Sequence, residues 1–346
     1  MPIQSFMLKK ITLRLAVAFL ICLLASSVFN VICLRYLHRR LPVPGNFYSI
    51  NGKTMHIYCI GQGTPTVIIE PGLGGDWLDW QHVQPELSQS TRVCTYDRLG
   101  NGWSDPEPGL HDAIYTASRL HELLQQTGEK GAFVFIGASL GGYFVREFNA
   151  MYPTEVAGIV FSDTSIPAQV TAIPDRLDSD EKRYQRHSAA MWQSIREASG
   201  WERLMGRCHA TLGPGMESYA EFGRAESCRP RYSTAWLSES DAFWISADQA
   251  GKAGCCGTLP LLIISQDPDR PKDGWEPAAV AANPIWDRLQ ENLKTLSPHS
   301  RRIIARGSGH HVMFDRPDVI IAATRQLVSE IRQNNHDPQD GTTVVQ

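Results

Sequence analysis

From about residue 47 onward, short continuous apolar runs alternate with stretches of helical spacing. Residues 66–70 (TVIIE), 92–96 (RVCTY), 133–136 (FVFI), 158–161 (GIVF), 261–264 (LLII) and 302–305 (RIIA) read as strands. Runs this short and unbroken suit strands covered on both faces by helices. Ahead of them, NFYSINGKTMHIYCIG places two strands around Asn51-Gly52, a strong hairpin signal. Leu120, Leu123 and Leu124 share one helical face, as do Ile285, Leu289, Leu293 and Leu296, and Val319, Ile320, Ala323, Leu327 and Ile331 mark a last helix. The alternation predicts an α/β chain with a mostly parallel, doubly wound sheet.

Two segments break the pattern. Residues 15–34 (LAVAFLICLLASSVFNVICL) carry no charge over twenty positions, and a helix needs about 20 such residues to span a bilayer. A secretory signal has a shorter apolar region of about 7–15 residues; Ala25-Ser26-Ser27 offers a cleavage site for that alternative. Basic residues flank both ends of the run, so orientation is not set by charge, and an extracytoplasmic placement is only mildly favoured. The second segment, residues 166–258, shows no strand pattern. It carries Trp192, Trp201, Trp236, Trp244, Tyr219, Phe222, Tyr232 and Phe243. It reads as a helical insertion whose aromatics form a small core of their own, or roof an apolar pocket. The organisation expected is an anchor at 1–40, a first core segment at 41–165, a helical cap at 166–258, a second core segment at 259–334 and a polar tail at 335–346.

Composition narrows the function. Across 346 residues, Lys+Arg 33 against Asp+Glu 36 leaves a net charge of -3, which argues against a nucleic-acid partner. Of eight cysteines, Cys22 and Cys33 lie in the apolar run; Cys59, Cys94, Cys208, Cys228, Cys255 and Cys256 do not, and no CxxC occurs. Disulfides or buried thiols both fit, and a zinc ribbon does not.

Gly137-Ala138-Ser139-Leu140-Gly141 is a G-x-S-x-G motif between the FVFI strand and a helical stretch. In that context it is a nucleophile elbow: a sharp turn exposes the Ser139 hydroxyl, and small neighbours avoid a clash between strand and helix. The Leu140 N–H then faces an incoming carbonyl oxygen. A serine hydroxyl needs a base, and Gly307-Ser308-Gly309-His310-His311 follows the RIIA strand; His310 is favoured, with His311 as the alternative. The base needs a carboxylate to hold its tautomer. Asp267 and Asp269 end the LLII strand, and Asp163 ends the GIVF strand. A second oxyanion donor fits the Pro71-Gly72-Leu73-Gly74-Gly75 loop, at the Leu73 N–H. Residues 96–105 (YDRLGNGWSD) read as a structural loop beside the site.

These pieces together resemble the α/β-hydrolase superfamily, in the branch with a helical cap inserted after the sixth strand. The matching elements are the Pro71–Gly75 loop, YDRLGNGWSD, GASLGG, and GSGHH followed by Asp315-Arg316-Pro317, over residues 47–330. The resemblance implies Ser139 as nucleophile and His310 as base. It also implies Asp269 as the acid, because in the family the acid follows a Pro-led strand and a Gly-x-x-Asp turn. Gln266 stands where the family has Gly, and Pro71 where many relatives have His. Haloalkane dehalogenases and epoxide hydrolases resemble the same fold but use an aspartate nucleophile, against which Ser139 argues.

The expectation is a serine hydrolase that cleaves a carboxylic ester through an acyl-enzyme, without metal or organic cofactor. The alternatives are the same residues acting on an amide, lactone or carbon–carbon bond or in acyl transfer, and a membrane-tethered binding protein on the same scaffold. The cap aromatics suggest a small-molecule ester with an apolar group, and an N-terminal membrane helix would bring the site near lipid.

Overall fold

The computed structural model describes residues 2–173, 180–208, 215–229, 232–254, 256–271 and 277–336. Its centre is an eight-stranded sheet in the order β1-β2-β4-β3-β5-β6-β7-β8. The strands are β1 (Asn46–Ile50), β2 (Lys53–Ile60), β3 (Val67–Glu70), β4 (Val93–Tyr96), β5 (Phe133–Ala138), β6 (Val156–Ser162), β7 (Leu261–Gln266) and β8 (Ser300–Ala305). β1 pairs antiparallel with β2, and β2 with β4; every other pairing is parallel. Asn51 and Gly52 close the β1–β2 hairpin with φ of 49° and 78°. Two successive positive φ values suit Asn-Gly, as the right-handed strand twist requires.

Thirteen α-helices accompany the sheet among the described residues. They are α1 (Pro2–Arg40), α2 (Gln84–Leu87), α3 (Ala113–Thr127), α4 (Gly141–Met151), α5 (Gln169–Ala172), α6 (Asp180–Ser199), α7 (Trp201–Leu204), α8 (Ala220–Ser227), α9 (Tyr232–Asp241), α10 (Phe243–Lys252), α11 (Pro277–Asn292), α12 (Val312–Asp315) and α13 (Pro317–His336). The alternating faces of β3, β5, β6 and β7 feed two cores. On one side Leu120, Leu123 and Leu124 of α3 pack with Phe135, Phe148 and Ile263. On the other, Ile320, Ala323, Leu327 and Ile331 of α13 pack with Ile69, Ile136 and Ile264. Strands buried on both faces explain why their sequences are continuous apolar runs rather than alternating ones.

Between β6 and β7 the described residues carry α5 to α10 and no strand, the helical insertion expected from the pattern. Its aromatics divide by role. Tyr219 and Phe222 pack edge-on against the fully buried Trp77 of the core. Trp236 sits against Gly74, where a Cβ would press into the indole. Trp192 and Trp201 remain 62% and 50% exposed. The Tyr232 side chain, Cys255 and residues 337–346 of the expected tail lie outside the described residues. Cys59 pairs with Cys94 between β2 and β4, and Cys208 with Cys228 within the insertion.

Helix α1 contains a stretch, Lys10–Leu37, long and apolar enough to cross a membrane, with 11% of its most apolar window buried.

Candidate active site

The site forms where β5, β6 and β8 end on the same edge of the sheet. β5 finishes at Ala138, and Ser139 takes φ 48° before α4 starts at Gly141. The turn is held from inside: the Ser139 carbonyl accepts from Ser165 N at 2.8 Å, Thr164 Oγ1 at 2.9 Å and Gly142 N at 3.1 Å. A Cβ on Gly141 would overlap the Glu70 and Pro71 carbonyls, and one on Gly142 the Thr164 hydroxyl. These overlaps are the physical reason for glycine at 141 and 142.

Asp163 directly follows β6 and also has positive φ, 41°. Aspartate tolerates that conformation better than most residues. Its side chain is fully buried. Oδ1 accepts from Gln266 N at 3.0 Å and from Trp286 Nε1 at 3.0 Å. Oδ2 lies 2.6 Å from His310 Nδ1, and His310 Nε2 lies 3.0 Å from Ser139 Oγ. The loop that carries His310 is fixed by Gly309 N donating to Asp315 Oδ2 at 2.7 Å, which also accepts from Arg270 Nη1 at 3.0 Å. Neighbouring His311 packs edge-on to His310 at 5.3 Å; burial, and then the adjacent His310, lower its pKa.

Ser139 and His310 thus come together, and the carboxylate beside His310 is that of Asp163, where Asp269 was expected. Asp269 does not approach the histidine; it is exposed and accepts from Arg306 Nη1 at 2.7 Å. Asp267 accepts from Gly307 N at 2.8 Å and from the same arginine. At the end of β7, Gln266 donates to Asn283 Oδ1 and Asn283 donates to the Pro268 carbonyl. Arg306 and Gly307, just after β8, thus hold Asp267 and Asp269, and the carboxylate beside His310 is that of Asp163, one strand earlier. Trp286 was not singled out by sequence. It sits inside the Ile285/Leu289 helical pattern, where an indole reads as one more core residue.

The Pro71–Gly75 loop lies against the serine, and a Cβ on Gly72 would come 3.2 Å from Ser139 Cβ. Leu73 packs with Leu140, Tyr143 and Phe243. The Leu140 N–H stands at the start of α4, where helix N–H groups have no intrahelical acceptor. The loop is held by Arg98, whose Nη1 donates to Glu70 Oε1 at 2.8 Å and to the Pro71 carbonyl at 2.9 Å, while Nη2 donates to the Gly72 carbonyl. Arg98 Nε also donates to Glu239 Oε1 of α9 at 2.7 Å, and Glu239 Oε2 accepts from Gly74 N at 2.8 Å. All three charged side chains are buried. Burial pushes the Glu70 pKa up to about 7 against the pull of Arg98. The segment read as a structural loop therefore reaches the Pro71–Gly75 loop through Arg98.

A cavity of about 300 Å³ opens onto Ser139 and His310. Ile173, Phe243, Trp244 and Trp286 give it apolar walls, and Ser165 and Gln169 polar ones. Phe243 and Trp244 belong to α10, so part of the insertion does roof the site.

A family model described as the alpha/beta hydrolase fold matches residues 65–317. The chain belongs to the α/β-hydrolase fold family. Among curated relatives it is 31% identical over 153 residues to an uncharacterised protein of Schizosaccharomyces pombe, a match of 36% of this chain and 29% of that protein. It is 22% identical over 276 residues to protein YqjL of Bacillus subtilis, covering 79% of this chain and 87% of the relative. Among solved structures, a thermophilic esterase from Thermogutta terrifontis superposes with a TM-score of 0.58 at 21% identity, over 81% of this chain and 94% of the esterase. At that identity the likeness speaks for the fold alone.

Proposed function

We propose that this chain is a serine hydrolase that cleaves a carboxylic ester with an apolar group, through an acyl-enzyme. The observation that carries the reading is the hydrogen-bonded series Ser139 Oγ–His310 Nε2–His310 Nδ1–Asp163 Oδ2 at the cavity wall. His310 Nε2 takes the Ser139 proton as Oγ attacks the ester carbonyl. The Leu73 and Leu140 N–H groups receive the oxyanion. The alcohol departs with the proton from His310, leaving Ser139 acylated. Water then gives its proton to His310 and attacks the acyl carbon, and the proton returns to Ser139 Oγ. Asp163 holds the imidazole in the tautomer this requires and stabilises its cationic form. Each oxyanion donor contributes about 10²–10³ in turnover.

Phe243, Trp244 and Ile173 support an apolar group on the substrate. The cavity volume of about 300 Å³ lies at the lower end for small-molecule sites, which favours a compact group. α1 is read as a membrane anchor, and the two disulfides support an extracytoplasmic catalytic domain. The test is labelling of the full chain by a fluorophosphonate, beside Ser139→Ala and His310→Ala, followed by an ester panel graded by acyl length. Labelling of the wild type alone is expected. A folded wild type that resists the probe, or a Ser139→Ala variant that still labels, overturns the reading.

A further inference from the structure

The anchor helix is not a loose tether. Asn30 Nδ2 of α1 donates to the Glu197 carbonyl of α6 at 2.8 Å, and Arg203 Nε of α7 donates to Asn30 Oδ1 at 2.8 Å. Gly200 permits the approach, since a Cβ there would press into Asn30 Cβ and the Ser26 carbonyl. Beyond this contact, the end of α1 and the cap enclose a cleft of about 330 Å³. It is lined by Arg40, Arg203 and Arg224, with Glu221, Tyr36 and Leu37 among the other walls.

Among the described residues, three arginines and one carboxylate line the cleft, and one guanidinium nitrogen is unsatisfied. Arg203 Nη2 is buried and, among the described residues, has no hydrogen-bond partner. A buried charged donor left unmet is costly, so the site wants an acceptor. Burial also pulls the Arg203 pKa below the usual arginine value. Arg40 donates one bond to Tyr36 OH at 2.5 Å, and Arg224 is exposed.

The depth of the cleft says what the acceptor is. The charge-free run ends at Leu34. At 1.5 Å per residue, Asn30, which binds Arg203, stands about 6 Å inside that end, and Tyr36 and Arg40 about 3 and 9 Å beyond it, so the cleft straddles the hydrocarbon–headgroup boundary. The headgroup layer on each side of a bilayer is about 5–8 Å thick. On the same two cap helices, Trp201 and Leu204 of α7 and the following Met205 are 50%, 51% and 48% exposed, and Trp192 and Ile195 of α6 are 62% and 49% exposed. Tryptophans favour this level of a membrane.

We propose that the cleft binds the phosphate of an anionic phospholipid headgroup, contacted by Arg203, Arg224 and Arg40, with the exposed apolar side chains of α6 and α7 beside the acyl chains. The proposal rests on α1 crossing the membrane and is independent of the esterase reading. Bound lipid would fix the cap against the anchor without touching Ser139.

The test uses the full chain in non-ionic detergent. Thermal unfolding is followed while short-chain phosphatidylglycerol, phosphatidylcholine or inorganic phosphate is added. Phosphatidylglycerol is expected to raise the midpoint saturably, and phosphatidylcholine is not. Arg224→Gln and Arg40→Gln, both at exposed positions, are each expected to weaken the response about tenfold while fluorophosphonate labelling is retained. Equal shifts with both lipids, or an unchanged response in Arg224→Gln, overturn the proposal. Inorganic phosphate as effective as phosphatidylglycerol reassigns the cleft to a free anion and overturns the lipid. A chain stripped from vesicles by alkaline washing overturns the headgroup placement, whereas loss of labelling bears only on the esterase reading.

Discussion

Asp163 and His310 lie 147 residues apart in sequence, and Asp163 Oδ2 comes 2.6 Å from His310 Nδ1. The carboxylate reaches this position from the end of β6 through a left-handed residue, and its other oxygen is occupied by Gln266 N and Trp286 Nε1. Both oxygens are therefore oriented before substrate arrives.

Asp163→Asn should keep this shape while offering an amide where the Nδ1–H needs an anion. Turnover of an ester substrate is expected to fall about 10⁴-fold. Asp269→Asn, which loses only an exposed pair with Arg306, should leave turnover unchanged. Steady-state kinetics of the two variants side by side decides the assignment; the opposite ranking would return the acid to β7.

Gly141→Ala addresses the oxyanion site. The new methyl would overlap the Glu70 and Pro71 carbonyls, forcing the start of α4 away from the loop that carries Leu73. A loss of about 10²–10³ in kcat is expected, with a smaller change in KM because the apolar walls of the cavity stay in place. An unchanged kcat would mean that the Leu73 and Leu140 amides do not act together.

How much of this was legible in the sequence depends on where each signal lies. The strands, α3 and α13 were readable because burial on one or two faces writes itself into local spacing, as at Leu120, Leu123 and Leu124. Ser139 and His310 were readable because each follows a strand and is framed by glycines that a tight turn demands. The acid was not fixed by any local pattern: Asp163, Asp267 and Asp269 all follow strands. The choice rests on tertiary contacts: Gln266 N and Trp286 hold Asp163 beside His310, while Arg306 and Gly307 hold Asp267 and Asp269. Arg98 was hidden for a similar reason. Its partners, Glu70 and Glu239, come from β3 and α9.

Arg98→Met tests that buried network. Removing the guanidinium leaves Glu239 and Glu70 buried without their cation, a change that costs about 3–5 kcal/mol when one partner of a buried pair is lost. Denaturant unfolding of the full chain in detergent should show that loss. In Arg98→Met/Glu239→Gln one orphaned charge is removed as well, so the double variant should be more stable than Arg98→Met alone. If it is less stable, Glu239 contributes chiefly through Gly74 N rather than through Arg98.

The last prediction concerns alkaline stability. Glu226 of α8 accepts from Trp77 Nε1 at 3.2 Å and is buried beside Asp76 and Asp97 of the core. Burial, and then the Asp97 charge, push its pKa from 4.5 up to about 8. Burial and the Glu226 charge likewise raise that of Asp76. In the folded protein Glu226 holds its proton where the unfolded chain has lost it, so the unfolded state binds fewer protons between these two values. Stability from this group is complete below about pH 4.5, declines as pH rises, and is gone once pH passes about 8. Glu226→Gln keeps a neutral acceptor at every pH. The variant should gain stability relative to wild type as pH is raised from 5 to 8, and the difference should level off above the folded pKa. Unfolding midpoints of both proteins across that range check the sign; a difference that does not change with pH would mean that Glu226 is already ionised in the folded cap.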